Sequence, residues 1–208
     1  MKYRVKEIFH TLQGEGRNTG RPAVFVRFSG CNLWNGREAY RETAVCSFCD
    51  TDFRGTDGPG GGNYSREELI QATLAAWPGP TPPFVVLTGG EPALQLDQGL
   101  VNELHAIHAE VAVETNGTCP LPQNLDWITV SPKAGADLII IGGNECKLVY
   151  PQDGLHPADF RNLNFDHFLL QPLDGPHRDR NTRLAVDYCL KNPPWTLSLQ
   201  THKLLHLP

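Results

Sequence analysis

Apolar residues gather in short, nearly continuous runs, and each run stops at a polar cluster. Val24-Phe25-Val26-Arg27-Phe28 leads to Cys31, Phe84-Val85-Val86-Leu87 to Thr88-Gly89-Gly90-Glu91-Pro92, and Val111-Ala112-Val113 to Glu114-Thr115-Asn116-Gly117. Trp127 to Val130, His167 to Leu170 and Trp195 to Leu199 then run into Ser131-Pro132-Lys133, Gln171-Pro172 and Gln200-Thr201-His202-Lys203, and Cys146 to Val149 reads as a further short strand. Strands this apolar suit a parallel sheet covered by helices. Helical signals fall between them: Ser65-Arg66-Glu67-Glu68 is a capping box opening a helix to about Trp77, and Asp97 to His108 and Thr182 to Leu190 follow, the last stopped by Pro193-Pro194.

Alternating β and α elements predict βαβ units, whose ligands gather at the carboxyl ends of the strands, where the polar clusters lie. A complete eight-stranded barrel takes about 250 residues. The 208 residues therefore predict an α/β fold built as a partial, open parallel β/α barrel of six or seven strands, in one domain spanning 1–208. There is no internal repeat, and the glycine-rich stretch Gly55 to Gly62 reads as a flexible surface loop.

A formal charge of −5 without a basic stripe argues against nucleic acid and leaves a small molecule as the expected ligand. Met1 to Glu7 holds no apolar signal core, and nowhere are there 18 uninterrupted apolar residues, so the expectation is a cytoplasmic protein with no membrane partner. In that reducing setting the six cysteines read as metal ligands or free thiols.

Cys31, Cys46 and Cys49 stand as Cys-x14-Cys-x2-Cys. Four thiolates close a structural zinc or cubane site, whereas three on a 4Fe–4S cluster leave one iron open for chemistry. Alone, Cys46-Ser47-Phe48-Cys49 also fits a zinc ribbon or a thiol oxidoreductase. A zinc site needs a fourth ligand such as His10 or Cys119, and a thioredoxin-like site leaves Cys31 unexplained. Cys119, Cys146 and Cys189 have no partner at ligand spacing and read as structural thiols. Gly89-Gly90-Glu91-Pro92 after an apolar strand is a turn in which paired glycines let backbone approach a ligand closely.

With these motifs the chain resembles the radical S-adenosylmethionine superfamily and, within it, the 7-carboxy-7-deazaguanine synthase family. Thr11-Leu12-Gln13-Gly14-Glu15-Gly16, Arg27 to Trp34, Cys49 to Asp52, Thr88 to Pro92, Glu114 to Gly117, Ser131 to Lys133 and Gln171 to Pro176 carry the likeness along the whole length. The departure is the 14 residues, Asn32 to Val45, where most of the superfamily has three; a subset of the synthases carries such an insertion.

The resemblance implies a lyase of queuosine and deazapurine biosynthesis that contracts the ring of 6-carboxy-5,6,7,8-tetrahydropterin to 7-carboxy-7-deazaguanine with loss of ammonia. It implies a 4Fe–4S cluster on Cys31, Cys46 and Cys49, and S-adenosylmethionine on the open iron and regenerated at the end. Contacts to that cofactor are implied from Phe48, Cys49, Asp50, Gly90, Ser131, Pro132, Lys133, Gln171, Pro172, Leu173 and Asp174. Thr51 matches a Mg²⁺ ligand; without the likeness it reads as a hydroxyl capping the turn after Cys49. Leu12, Gln13, Gly14, Arg27 and Thr88 match substrate positions, with Glu15 a further contact or a solvated loop acid, and Arg27 otherwise a strand residue paired to an acid. Glu114 is the catalytic candidate, to shuttle a proton or orient the adenosyl ribose, or else a satisfied structural carboxylate. An electron donor such as a flavodoxin or ferredoxin and a homodimer are implied as well.

His105 and His108 fall on an expected surface helix, whereas His202 ends an expected strand facing the site. The mostly apolar tail Leu204 to Pro208 is expected to fold over the mouth of the site and bring the Pro208 carboxylate to the pterin edge. The rivals are an activase that places a glycyl radical on a partner enzyme and a zinc module without catalysis.

Overall fold

A computed structural model describes residues 2–208. Nine strands form one sheet: β1 (Tyr3–Leu12), β2 (Pro22–Phe28), β3 (Gly62–Tyr64), β4 (Phe84–Gly89), β5 (Glu110–Thr115), β6 (Trp127–Val130), β7 (Gly142–Tyr150), β8 (Asn164–Pro172) and β9 (Trp195–Leu197). Their order is β3-β1-β2-β4-β5-β6-β7-β8-β9, open at both edges. The seven strands β2 and β4 to β9 are mutually parallel, which agrees with the expected partial barrel. Antiparallel β1 and β3 lie outside that expectation. In β1 the alternation is broken by a register shift between Val5 and Glu7, which turns Lys6 inward beside Val5. Lys6 is satisfied there by Asp52 and Asp57, each at 2.8 Å.

Four helices accompany the sheet: α1 (Arg66–Ala76), α2 (Gln98–Ala106), α3 (Arg178–Lys191) and the short α4 (Thr201–Leu205). The capping box forms as read, Ser65 Oγ accepting from Glu68 N at 3.2 Å and Glu68 Oε2 from Ser65 N at 2.7 Å. Asp97 caps α2 through the Leu100 N–H at 2.8 Å. Such caps contribute about 1 kcal/mol each. Helices do not alternate throughout, because the links between β5 and β8 carry Pro120, Pro122, Pro132, Gly135 and Pro151 and run as loops and a 3-10 turn at Pro157–Phe160.

Both sheet faces are covered, which accounts for the continuous apolar runs. Val24, Val26, Val85, Leu87 and Val111 pack outward with Leu69, Ile70, Leu100 and Leu104 of α1 and α2. Val130, Cys146, Leu148 and Leu170 do the same with Ala185 of α3 and Trp195. On the opposite face Phe25, Phe84, Val86 and Ala112 meet Phe9 and Trp127.

Three local expectations are corrected. The glycine stretch is not a free loop: Gly58 N donates to Lys6 O at 3.0 Å, Ile8 N to Pro59 O at 2.8 Å, and Gly62 enters β3. A Cβ on Gly61 would overlap the Lys6 and Thr56 carbonyls, so close backbone approach explains the glycine. Trp195 to Leu199 is strand only as far as Leu197; Ser198 N still bonds Leu170 O at 2.9 Å, and then α4 begins at Thr201, just after Gln200, so His202 lies on a helix. His105 lies in the last turn of α2 and meets Asp126 at 2.8 Å, but His108 follows the helix at φ 61.

Candidate active site

The link between β1 and β2 crosses the concave side and ties the start of the chain to its end. Arg17 N donates to Glu145 Oε2 on β7 at 3.0 Å, Gly16 N to Ser198 Oγ at 2.9 Å, and Thr201 N to Gly14 O at 2.9 Å. Above this link, at the carboxyl ends of β4 to β8, opens a cavity of about 630 Å³. Every site residue named from the sequence lines it except Pro132, which is buried and accepts from Gln152 Nε2 at 3.3 Å.

Cys31, Cys46 and Cys49 share one wall of the cavity. Burial pushes the Cys31 thiol up. The neighbouring free thiols of Cys46 and Cys49 interact so that the first is raised and the second lowered, which makes Cys49 the readiest thiolate of the three. The turn after β4 is pressed against this wall: a Cβ on Gly89 would overlap the Phe28 carbonyl, and one on Gly90 the Gly30 carbonyl, with Cys31 Cβ at 2.8 Å. Glu91 beside them is fully buried and accepts from Thr115 Oγ1 at 2.7 Å, Asn116 N at 2.7 Å and Ala93 N at 2.9 Å. Burial raises its pKa, but those bonds join the turn to the end of β5. Asn116 Nδ2 in turn reaches Asn32 Oδ1 at 3.0 Å, anchoring the cysteine segment. Three soft donors, a backbone cradle that admits no side chain and a closed supporting shell fit an iron–sulfur cluster with one open iron.

Lys133 Nζ bonds Ser131 O at 2.6 Å and Oγ at 2.7 Å, and burial lowers its pKa. Asp50 and Asp174 are bridged by Lys203 of α4, at 2.5 and 2.6 Å. That bond holds Asp174 below its ordinary range. The sequence reading passed over Lys203.

The other wall centres on Glu114. Its Oε1 accepts from Gln13 Nε2 at 3.0 Å and lies 3.6 Å from Lys147 Nζ, and its Oε2 accepts from Thr88 Oγ1 at 3.3 Å. Glu15 is not a solvated loop acid: Lys147 binds Oε2 at 2.5 Å and Gln200 Nε2 binds Oε1 at 2.9 Å. Arg27 is paired as the alternative reading held, its Nε on Glu7 Oε1 at 2.7 Å, yet it still faces the cavity. Lys147 was also missed, although a lysine inside an apolar strand with a buried environment is itself a signal. Thr51 and Pro208 line the cavity, whereas Leu204 and Leu205, expected to pack, are 58% and 59% exposed. Cys146 is buried in the core and Cys189 adjoins it, whereas Cys119 Sγ lies 4.0 Å from Asn32 Nδ2.

No family model matches the chain. It is 59% identical, over the full length of both chains, to the 7-carboxy-7-deazaguanine synthase of Burkholderia multivorans, and 58% identical on the same terms to that of Caulobacter vibrioides. A crystal structure of QueE from Escherichia coli superposes with a TM-score of 0.70 at 28% identity, covering 96% of this chain and 94% of that one. With the cysteine wall, the glycine cradle and the Glu114 pocket in one cavity, and identity of this order end to end, the chain belongs to the 7-carboxy-7-deazaguanine synthase family.

Proposed function

We propose that the chain converts 6-carboxy-5,6,7,8-tetrahydropterin to 7-carboxy-7-deazaguanine and ammonia. The observation that carries the reading is the placement of three thiols and a satisfied carboxylate, Glu114, in the lining of one cavity in a chain 59% identical to a named synthase. Cys31, Cys46 and Cys49 would hold the 4Fe–4S cluster. Bound there together with S-adenosylmethionine, that group would supply the one-electron reductive cleavage chemistry that provides a radical able to take hydrogen from C6 of the pterin.

The chain's own residues bind and orient. Gly90 gives backbone room for the cofactor, and Phe48, Asp50, Ser131, Lys133 and Gln171 to Asp174 surround it, Pro132 shaping the turn between two of them. Arg27, held at Nε by Glu7, turns its terminal nitrogens to the substrate carboxylate. Thr51 Oγ1 offers the hard oxygen that Mg²⁺ prefers, beside the same carboxylate. Gln13, Thr88, the Leu12-Gln13-Gly14 backbone and Pro208 meet the pterin edge. Glu114 takes the proton released on ring contraction at Oε2, its side chain held in place by Thr88 Oγ1 at that oxygen and by Gln13 Nε2 at Oε1.

Among the described residues no helix is long and apolar enough to cross a membrane, and all six cysteines are free. From the family likeness we further propose a cytoplasmic enzyme that takes its electron from a flavodoxin or ferredoxin and works as a homodimer. Anaerobic incubation with a low-potential reductant, S-adenosylmethionine and the carboxytetrahydropterin should release the deazaguanine acid and ammonia in equal amounts. Absence of both products from iron-loaded protein would defeat the reading.

A further inference from the structure

The segment Asn32 to Val45 has no place in the chemistry just described, yet it is built around one charged side chain. Cys46 N closes it onto Leu33 O at 3.3 Å, and a 3-10 turn at Glu38–Tyr40 presents Arg41. The Arg41 guanidinium lies 4.1 Å above the ring of Trp34, which is buried edge-on against Phe53 at 5.6 Å. Its Nε and Nη2 grip Glu38, each at 2.6 Å. Its Nη1 donates to the carbonyls of Ser47 at 2.8 Å and Cys49 at 2.9 Å.

Those two carbonyls belong to the Cys46-Ser47-Phe48-Cys49 turn itself. We propose that Arg41 is a positioning residue for the cluster, fixing the peptide planes of that turn and raising the cluster's reduction potential, so that the insertion supplies the turn with a cation from within the same loop. This rests on the reading that Cys31, Cys46 and Cys49 hold a 4Fe–4S cluster.

Two physical effects act together. Peptide groups are planar, so carbonyls held by Arg41 oblige the N–H groups of Phe48 and Asp50 to point away from it and bar the turn from flipping. Reduction adds one negative charge among three thiolates, and a fixed cation on the adjoining carbonyls stabilises that charge, as hydrogen bonding and local charge do around iron–sulfur centres. Glu38 opposes the second effect, since its carboxylate offsets part of the guanidinium charge. Removing either member of the pair therefore moves the potential in opposite directions, which a merely structural role would not do.

The test is an anaerobic redox titration followed by electron paramagnetic resonance, with iron and sulfide counted on the same samples, for the unchanged chain, Arg41→Gln, Arg41→Lys and Glu38→Gln. At the midpoint potential of the unchanged chain, the reduced-to-oxidised ratio should fall about threefold in Arg41→Gln, equivalent to about 28 mV for a one-electron couple. It should fall less in Arg41→Lys, which keeps the charge but loses the fork, and rise in Glu38→Gln. Shifts of the same sign in Arg41→Gln and Glu38→Gln, or none in either, overturn the proposal. Should Arg41→Gln fail to load iron, Arg41→Lys and Glu38→Gln decide it on the same criterion. An unchanged chain that takes up no iron would defeat the cluster reading instead.

Discussion

Lys147 Nζ lies 2.5 Å from Glu15 Oε2, joining the middle of β7 to the link after β1 across 132 positions. Both side chains are largely buried, at 5% and 16% exposure. Burial alone would raise the Glu15 pKa, but Lys147, Gln200 and His202 outweigh it and hold the carboxyl at about 2, against an ordinary 4.5. Burial alone would lower the Lys147 pKa, but Glu114, Glu15 and Glu145 outweigh it and push it up from its ordinary value.

The sign follows from linkage. A carboxyl with a lowered folded pKa contributes stability present above its unfolded value and lost as pH falls through the folded one. The window runs from pH 4.5 down to about 2, and at ~1.4 kcal/mol per unit the loss is about 3 kcal/mol. Lys147→Met strands the Glu15 carboxylate, costing about 3–5 kcal/mol near neutrality, and acidification then relieves the variant by protonating that acid. Urea unfolding at pH 7 and pH 4 should show the gap between parent and variant narrowing on acidification. A gap independent of pH would show that Glu15 does not depend on Lys147.

Removal of any one of Cys31, Cys46 and Cys49 by alanine should abolish turnover and most bound iron. Cys119→Ala and Cys189→Ala should keep the cluster, as should Cys146→Ala at the expense of about 1 kcal/mol for a small cavity in the core. Iron and sulfide analysis reads the result directly. A full cluster signal in Cys31→Ala would remove the long segment from the ligand loop.

Thr51→Val keeps shape and discards the oxygen. Turnover should drop roughly tenfold or more and no longer respond to added Mg²⁺, while iron content stays that of the parent. A variant that still answers to Mg²⁺ as the parent does places the ion elsewhere.

Much of the scaffold was legible because local and global preferences agree in it. Val85 to Leu87 is apolar on both faces and buried on both, and Ser65 with Glu68 needs only its own turn to form the cap. Legibility failed where a partner distant in sequence decides the outcome. β1 was not among the expected strands, and in it Lys6 points inward at an irregular register and is satisfied by Asp52 and Asp57. The glycine stretch looked free because what orders it is the backbone of β1. In the site, motif residues such as Thr88 and Gly90 were legible, whereas Lys147 and Lys203 were not, since their roles are set by Glu15, Asp50 and Asp174 far along the chain.

Gly14 joins the two ends of the chain over the cavity, and it offers the most direct test of that closure. Its carbonyl accepts from both Thr201 N at 2.9 Å and Thr201 Oγ1 at 3.0 Å, which holds the first turn of α4. A Cβ placed on Gly14 would overlap the His202 ring and stand 2.7 Å from His202 Cβ, an atom that cannot swing aside without moving the helix. Alanine at this position therefore has one effect, to push α4 outward, and overpacking of this kind costs about 1–3 kcal/mol. The helix carries His202 and Lys203 and leads to Pro208, all lining the cavity, and it touches the cysteine segment through Lys203 on Asp50, beside Cys49. Gly14→Ala should raise KM for the pterin at least about tenfold, the equivalent of ~1.4 kcal/mol, and leave iron content at the parent's level, with uncoupled cleavage of S-adenosylmethionine falling only as far as the displaced Lys203 loosens Asp50 and Asp174. Steady-state kinetics over a range of pterin concentrations, with 5′-deoxyadenosine measured in its absence, separates the two. An unchanged KM would mean that α4 does not shape the substrate side of the cavity, and parallel loss of iron would mean that its packing supports the whole site.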